Sequence, residues 1–335
     1  MTGADPFAPA SEAGIHRLAI PTPFAVGRVN CYLIEDEPLT LVDAGPNSGR
    51  SLDELGTQLR ALGHEIEDIG LVVISHQHID HIGLVDIVAS HSGAEVAAID
   101  VLVPFVEQYS ERAADDDEYA GAIMLRHGIP GDVVAALQSV SNAFRAWGAR
   151  ADVSRVLHEG DVIELRDRAL RVHHRPGHSP TDTVFHDAER GMLIAADHLI
   201  AHISSNPLIA RPAGASLDPE DRPQSLVTYL ESLAKTREME LGLVLPGHGD
   251  PITDHRSLID QRFKLHARRA EKLHGLIAER PRTAYELAQA LWGNIAVTQA
   301  YLTLSEVLGH TDILMNEGRV REVTEDGVAR FEAAA

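Results

Sequence analysis

The sequence has little cysteine, little positive charge and no long hydrophobic run. Cys31 is the only cysteine in 335 residues, which excludes an intrachain disulfide and is typical of a reducing compartment. The formal net charge of −21 disfavours nucleic acid and anionic membranes as partners. No apolar run approaches the ~20 residues that a membrane span requires, and the N-terminus lacks the pattern of a signal peptide. We therefore expect a cytoplasmic protein.

What the sequence does contain is typical of a globular enzyme. Hydrophobic residues make up 44% of the chain and charged residues 24%, which excludes a disordered chain. A length of 335 residues is large for one compact domain, so we expect a large domain followed by a small one.

The first hundred residues alternate between strand and helix patterns. Short apolar runs predict strands at 15–20, 29–34, 39–42 and 71–74, and leucines at helical spacing predict a helix over 51–62. The strand at 71–74 is apolar throughout, as expected where both faces of a sheet are covered. This order predicts an α/β layered fold.

Residues 104–150 have a different composition. They are rich in alanine and acidic residues, and they read as two or three helices without a strand signal. We interpret them as a helical insertion that covers a site, although a helical pair packed only for stability explains the pattern equally well.

The second half returns to strands and then ends in helices. Strands are predicted at 162–165, 170–174, 183–186, 192–196 and 241–245, with a helix at 223–235. Residues 256–335 predict three helices and a hairpin, the plan of a winged helix. Because residues 262–335 contain ten basic and ten acidic residues, a packing or dimerisation module is favoured over a DNA reader, and a homodimer is possible.

The segment SHQHIDHIG at 75–83 crowds polar residues directly after the apolar strand at 71–74. His76 and His78 are two residues apart, so in an extended segment both imidazoles can face one point. If the chain then turns into a helix, Asp80 and His81 project elsewhere and can serve a second point. The pattern is much stronger than a lone pair of histidines.

Three later loops provide further ligands of the same kind, and each follows a predicted strand. His178 lies in RPGHS, Asp197 ends MLIAAD, and His248 lies in LPGHGD. A zinc-type site needs four or five donors, more than one local motif provides. Together the four loops offer five histidines and two aspartates, enough for two divalent ions with a carboxylate between them.

At this point the sequence resembles the metallo-β-lactamase superfamily. The resemblance rests on HQHIDH, PGHS, the Ala-Ala-Asp strand end and PGHG, together with the early motif LVDAG at 41–45. It covers roughly residues 15–255, and it extends to 335 if the tail is the winged helix of the lactamase-beta-2-like branch. It implies a four-layer αβ/βα fold, with a catalytic domain at 1–255 that contains the insertion and a winged-helix-like domain at 256–335.

The resemblance also implies a role for each motif residue. One metal would be bound by His76, His78 and His178, and the second by Asp80, His81 and His248, with Asp197 bridging the two. Asp43 would support the ligands from behind by ordering their loop. Because Asp197 stands where the true β-lactamases commonly place a cysteine, antibiotic hydrolysis is disfavoured.

A chemical mechanism follows from that arrangement. Two divalent ions would generate a shared hydroxide near neutral pH, and Asp80 is the best candidate to carry the proton onward. Histidine and aspartate ligands suit zinc, and also iron or manganese. No G-x-S-x-G, phosphate-binding loop or Cys–His pair offers a competing nucleophile.

Outside this set, His202 lies in the loop after Asp197 and is a candidate substrate contact. Six other histidines are interpreted as surface or helix residues: His91, His127, His255, His266, His274 and His310. Our leading hypothesis is a binuclear hydrolase of a small ester, thioester or lactone. The alternative is a phosphodiesterase or ribonuclease, and a third hypothesis is a binding protein that keeps the fold but has lost ligands.

Overall fold

The computed structural model describes residues 5–211 and 218–334. Residues 1–4 of the N-terminal segment, and residues 212–217 of the loop predicted to follow Asp197, lie outside the described residues. None of the helices in the described ranges is both long enough and apolar enough to span a bilayer.

The chain begins with a short helix and two long strands, and then alternates between strands and helices up to residue 99. In chain order the elements are α1 (Ala8–Glu12), β1 (Ile15–Ile20), β2 (Val29–Ile34), β3 (Thr40–Val42), α2 (Gly49–Ala61), β4 (Leu71–Val73), α3 (Ile79–Ile82), α4 (Val85–Ser92) and β5 (Glu95–Ile99). Ser48 caps α2, because its Oγ accepts a hydrogen bond of 3.0 Å from the Ser51 backbone N–H.

The remaining elements are a helical segment, a second group of strands and a mostly helical end. They are α5 (Val103–Glu107), α6 (Tyr109–Arg126), α7 (Gly131–Phe144), β6 (Arg155–Leu157), β7 (Val162–Glu164), β8 (Ala169–His174), β9 (Thr183–Asp187), β10 (Met192–Ala196), α8 (Ser225–Arg237), β11 (Leu243–Pro246), α9 (His255–Glu279), α10 (Ala284–Trp292), α11 (Ile295–Thr298), α12 (Ala300–Asn316), β12 (Val320–Glu325) and β13 (Val328–Ala333).

The strands form two large sheets and one hairpin. The first sheet has the order β1-β2-β3-β4-β5-β6, and the second has the order β11-β10-β9-β8-β7. Strands β3 to β6 run parallel to one another, and β10 runs parallel to β11. Strands β12 and β13 form an antiparallel hairpin, and Phe331 of β13 also forms an isolated bridge with Arg282.

The two sheets pack face to face, with helices on both outer surfaces. Side chains of both sheets share one core, for example Ile34 and Val73 of the first with Val172 and Phe185 of the second. Leucines of α2 pack on the outer face of the first sheet, while α8 and α9 cover the second. The predicted four-layer α/β fold is therefore confirmed.

The helical insertion and the C-terminal helices share a further core. Tyr119 and Ile123 of α6 lie in one apolar cluster with Leu304 and Leu308 of α12. Helices α9 and α10 and the hairpin strand β13 contribute to the same cluster. The insertion is thus packed against the C-terminal segment, and the two together form one side of the molecule.

Most predicted elements lie where the sequence indicated, but two strands were missed. Strand β5 and the three-residue strand β6 extend the first sheet on the far side of β4. The C-terminal segment has the predicted helices followed by a hairpin, with the additional short helix α11. A domain boundary at residue 255 and a winged-helix classification stay predictions.

Candidate metal centre

Strand direction brings the polar loops together. Strands β3 and β4 are parallel, so the loops after Val42 and Val73 leave the first sheet at the same edge. In the second sheet β8 and β10 both run antiparallel to β9, and β10 is parallel to β11. The loops after β8, β10 and β11 therefore leave that sheet at one edge too, which gathers the side chains of both sheets.

The central motif is divided between an extended segment and a short helix. His76 and His78 precede α3, whose N-cap is His78 in an extended conformation. Asp80 and His81 lie within α3 and are buried. This change of backbone conformation separates the two pairs of ligand candidates, as the motif predicted.

The first group consists of His76, His78, His178 and Asp197. One ligand atom from each lies within 4.8 Å of all the others. His78 Nδ1 lies 3.1 Å from His76 Nε2 and 3.0 Å from His178 Nε2. Three imidazole nitrogens and a carboxylate therefore converge on one point, which is the composition of a four-ligand zinc-type site.

The second group consists of Asp80, His81 and His248, all buried and again within 4.8 Å of one another. His248 Nε2 lies 3.3 Å from Asp80 Oδ2. Glycine at position 247 leaves room for Asp197 beside this group, because a Cβ there would come 2.1 Å from Asp197 Oδ1. The sequence analysis did not identify Gly247, although the tight Pro-Gly turn before His248 was a signal.

Asp197 lies between the two groups. Its Oδ2 is 3.6 Å from His178 Nε2 of the first group and 3.6 Å from His248 Nε2 of the second. Its Oδ1 lies 3.5 Å from His81 Nε2. One carboxylate thus faces ligand atoms on both sides, as a bridging ligand must.

Asp43 fixes the orientation of the motif through contacts with Ser75 and His81. Its Oδ1 accepts a hydrogen bond of 2.9 Å from the Ser75 backbone N–H, and its Oδ2 accepts one of 2.7 Å from Ser75 Oγ. His81 Nδ1 lies 2.7 Å from the same Oδ2, so the Nδ1–H donates and Nε2 faces the cluster. Asp43 has φ of 59°, an unfavourable conformation that aspartate tolerates better than most residues.

Two other imidazoles, those of His248 and His76, are oriented in the same way. His248 Nδ1 donates to the Arg28 carbonyl over 2.9 Å, and His76 Nδ1 lies 2.9 Å from Ser75 Oγ. Each bond leaves Nε2 directed at the cluster. Ser75 therefore helps to order two ligand candidates, a role that the sequence analysis missed although this serine begins the motif.

Several buried atoms of the centre have no hydrogen-bond partner among the described residues. They include His81 Nε2, His248 Nε2 and Asp197 Oδ1. Buried polar atoms are rarely left unpaired, because desolvation without a partner costs free energy. The residues present therefore fit divalent cations, which would take up these unpaired atoms.

The electrostatic environment differs between the two groups: it favours neutral imidazoles in the first, whereas in the second nearby carboxylates outweigh burial and raise the pKa of His81 and of His248. Burial lowers the pKa of His76 well below its usual value, and it lowers the pKa of His78 to about 3. Both imidazoles are therefore neutral, which is the form that binds a metal. Burial alone would raise the pKa of Asp197, but the nearby His248 and His81 outweigh it and hold that pKa well below its usual value. The carboxylate is accordingly ionised.

The centre forms one end of a cavity of about 1020 Å³. His78, Asp80, His178, Asp197 and His248 all line it. The remaining walls come from the insertion, from the loop after Asp197 and from the C-terminal helices, and they are largely apolar: Phe105, Tyr109, Tyr119, Phe144, Ile200, Ile209, Trp292, Ile295, Tyr301 and Leu302. The insertion therefore covers the site, and the C-terminal segment also contributes to it.

The structure adds detail to two interpretations of other histidines. His202 is exposed and lies in a neighbouring cleft beside Gly249 and Asp250; it is absent from the described lining of the large cavity. Its contact with substrate stays a prediction. Of the six histidines interpreted as surface or helix residues, His255, His266 and His310 lie in helices and His127 directly follows α6, and all four are buried.

His266 and His310 form a buried pair with Glu306. His266 Nδ1 lies 3.2 Å from His310 Nε2, and His310 Nδ1 donates to the Glu306 carbonyl over 2.6 Å. Burial lowers the pKa of both imidazoles to about 4. Arg269 pairs with the Glu306 carboxylate, so hydrogen bonds between neutral rings and one ion pair account for this group.

Comparison with known proteins places these features in a wider context. A family model described as the metallo-beta-lactamase superfamily matches residues 25–248. The probable metallo-hydrolase YqjP of Bacillus subtilis (strain 168) is 31% identical over 314 residues, which cover 94% of this chain and 96% of that protein. The acyl-coenzyme A thioesterase MBLAC2 of Gallus gallus is 32% identical over 186 residues, covering 51% of this chain and 57% of that protein.

Two crystal structures resemble the whole chain. A metallo-beta-lactamase family protein, TTHA1429 from Thermus thermophilus, is 25% identical with a TM-score of 0.78, covering 96% of this chain and 98% of that one. A beta-lactamase domain protein from Burkholderia ambifaria is 26% identical with a TM-score of 0.81, covering 96% and 92%. The likeness therefore includes the insertion and the C-terminal helices.

Proposed function

The chain belongs to the metallo-β-lactamase superfamily, and from that premise we propose that it is a binuclear metallohydrolase that cleaves a carboxylic thioester, ester or lactone. The family and its relatives establish a metal-dependent hydrolase. The two-metal centre, the ligand roles and the substrate class are the parts that we propose.

The position of Asp197 carries the proposal for two metals. Its two oxygens lie 3.5 to 3.6 Å from nitrogens of His81, His178 and His248, which belong to both ligand groups. A single metal site would need only one of these groups. Two groups that share one ionised carboxylate favour a pair of cations, because the anion offsets their mutual repulsion.

The chemistry of the centre follows from its residues. Divalent ions held there would supply a water-derived nucleophile near neutral pH and polarise the substrate carbonyl. Asp80 lines the cavity beside His248, and we assign it the transfer of the proton to the leaving group. The apolar walls surround these charges with nonpolar side chains, which strengthens their electrostatic effect.

The cavity favours a carbonyl substrate with a sizeable apolar part. Its volume of about 1020 Å³ is at the upper end of the range for small-molecule pockets. Aromatic and aliphatic side chains form most of its walls, which suits an acyl chain. A thioester is our first choice, and the similarity to the thioesterase MBLAC2 over half of the chain supports it.

The charges in the cavity do not favour the phosphodiester alternative. Arg145 pairs with Asp117, Arg211 with Asp115, and Arg269 with Glu306. A nucleic acid backbone requires a groove with excess positive charge. The third hypothesis, a binding protein that has lost ligands, is also disfavoured, because all seven ligand candidates are present and brought together.

Metal analysis and a hydrolysis panel test the proposal together. The purified protein should contain two equivalents of metal and hydrolyse an acyl-CoA thioester, an aryl ester or a lactone in preference to a phosphodiester. Turnover of the phosphodiester alone would contradict the substrate class. One metal or none, with no activity on any substrate after reconstitution, would contradict the binuclear hydrolase.

A pair of aspartate variants tests the bridge. Asp197→Ala should lose both metal retention and activity, since it removes the carboxylate that the two groups share. Asp250→Ala, which changes an exposed aspartate two residues after His248, should retain both. Zinc as the bound metal, a cytoplasmic location and a homodimer are the further predictions of this proposal.

A further inference from the structure

One arginine of the cavity differs from the others in having no carboxylate partner. Arg145, Arg211 and Arg269 each contact an aspartate or glutamate. Among the described residues, Arg112 has no carboxylate oxygen within 4.0 Å, although it lines the same cavity. A charged side chain in this position is expected to have a counter-ion.

Arg112 is almost completely buried. Its exposed fraction is 8%, and its Nε has no hydrogen-bond partner among the described residues. Burial is the main influence on this guanidinium and lowers its pKa, while Asp116 acts in the opposite direction. Among the described residues Asp116 forms no contact ion pair with Arg112, and its carboxylate lies 3.7 Å from Arg211 Nε instead.

The guanidinium is nevertheless held in place. It lies over the ring of Phe105, with 4.4 Å between Cζ and the ring centroid, and Nη2 donates a long hydrogen bond of 3.4 Å to the Arg211 carbonyl. The aromatic face and the carbonyl fix the plane of the group but leave donors of its planar fork unused. A fixed, desolvated guanidinium with unused donors is preorganised to bind an oxyanion through two parallel hydrogen bonds.

We propose that Arg112 binds an oxyanion of the substrate, remote from the bond that is cleaved. This inference rests on the proposed function and makes it more specific: the substrate combines an apolar body with a carboxylate or phosphate. The anion belongs either to the far end of the acyl group or to the thiol that leaves. Both sources present the same chemistry to the guanidinium.

Three thioesters of one acyl length separate these sources. The neutral reference is the octanoyl thioester of N-acetylcysteamine. Its analogue with a carboxylate at the far end of the acyl chain tests an acyl-borne anion, and octanoyl-CoA tests phosphate on the leaving thiol. For the wild-type holoenzyme, kcat/KM should be at least about tenfold higher for one of the two anionic substrates than for the neutral one, as expected for a charge-assisted hydrogen bond.

Variants then assign the preference to the side chain. Arg112→Gln should reduce the ratio of kcat/KM for the anionic substrate to kcat/KM for the neutral one by about tenfold or more, mainly through KM. Arg112→Lys should restore part of this ratio by restoring the charge. Arg145→Gln is the matched control: its arginine lines the same cavity but is paired with Asp117, so the ratio should stay at the wild-type value. If Arg112→Gln lowers kcat/KM, relative to that of the neutral thioester, only for the carboxylate analogue, the anion belongs to the acyl group. If it does so only for octanoyl-CoA, the anion belongs to the thiol.

Binding provides a readout independent of turnover. Isothermal titration of the holoenzyme with suberate and with octanoate should show tighter binding of suberate if the anion is acyl-borne, and coenzyme A should bind if it belongs to the thiol. Arg112→Gln should abolish whichever binding is observed. Equal kcat/KM for all three thioesters, or binding that Arg112→Gln leaves unchanged, would overturn the inference. Failure to hydrolyse any of the three thioesters would overturn the choice of a thioester in the proposed function instead, while the titrations would still report on Arg112.

Discussion

Gly247 lies so close to Asp197 that a methyl group on its α-carbon would come 2.1 Å from Asp197 Oδ1. The same methyl group would be 3.0 Å from His81 Cε1. The flexible end of a surface side chain could move away, but Asp197 is buried among the ligand candidates and cannot move without changing its distances to both groups. Glycine is therefore required here by space.

We predict that Gly247→Ala removes activity by displacing Asp197. Metal content should fall below two equivalents and kcat should fall by at least about 100-fold, since small displacements at a catalytic centre have effects of this size. Gly242→Ala, three residues before Leu245, is the control, because its added methyl group would meet only a backbone oxygen at 3.8 Å. If Gly247→Ala kept full metal content and activity, the close approach would have no functional role.

Asp43 should affect metal affinity without contacting a metal. Asp43→Asn keeps the size of the side chain, and asparagine tolerates the positive φ of this position, but the negative charge beside His81 is lost. Because residues that orient ligands typically contribute 10- to 100-fold to metal affinity, we expect affinity to fall by about that factor. Competition with a chromophoric chelator measures it, and Asp86→Asn on the exposed face of α4 is the control. Unchanged affinity would refute the role of Asp43.

Metal removal should destabilise the protein. Without cations, His81 Nε2 and His248 Nε2 would be buried without partners, and Asp80 and Asp197 would lie close together as like charges. A metal present at 100 times its Kd contributes about 2.7 kcal/mol to stability. Dialysis against a chelator should therefore lower the unfolding temperature, and adding back zinc, manganese or iron should restore it. An unfolding temperature that does not respond to any of the three would contradict the metal centre.

His127 should make stability sensitive to acid. It is fully buried and stacks on Phe331 with ring centroids 6.0 Å apart, and burial lowers its pKa to about 3, with Arg222 and Arg126 adding to the effect. The unfolded chain has a histidine pKa of about 6.5. The contribution of His127 to stability is therefore complete above about pH 6.5 and is lost as the pH falls toward 3.

Replacing His127 by phenylalanine should remove that dependence. When the pH is lowered from 7 to 5, the unfolding free energy should fall by about 2 kcal/mol less in His127→Phe than in the wild type. The reason is that a histidine that stays neutral when folded costs about 1.4 kcal/mol of stability per pH unit below its unfolded pKa of about 6.5. Denaturant unfolding at both pH values measures the difference. His91→Phe, at an exposed histidine, should leave the dependence as it is in the wild type. Equal pH dependence in wild type and His127→Phe would show that burial does not lower the pKa of His127 in the folded protein.

The sequence was sufficient for most of the strands and for the ligand candidates, because both depend on local patterns. Each of His76, His178, Asp197 and His248 follows a predicted strand that ends at a Pro-Gly turn or a polar motif. A strand end is a local feature, whereas the order of the strands in the sheets was not predicted. The sequence was less informative about β6, because a strand of three residues has too few positions for a periodic pattern.

Burial was the property that the sequence could not provide. His127 follows α6 and stacks on Phe331 of β13, so it becomes interior only when the insertion and the C-terminal segment pack against each other. His266 and His310 are buried where α9 and α12 face each other. A local sequence pattern cannot predict such packing between distant segments of the chain.

The division between sequence and structure is clearest within the cavity. The sequence alone determined the residues that can bind metal, because the ligand types and their spacing are found in four short motifs. Only the tertiary structure decided what faces them: Arg112 from the insertion and Trp292 from the C-terminal helices line one cavity, yet neither belongs to any motif. Metal ligands need particular atoms at particular spacings, whereas a substrate pocket needs only surfaces that folding brings together, so its specificity is set by packing between distant parts of the chain.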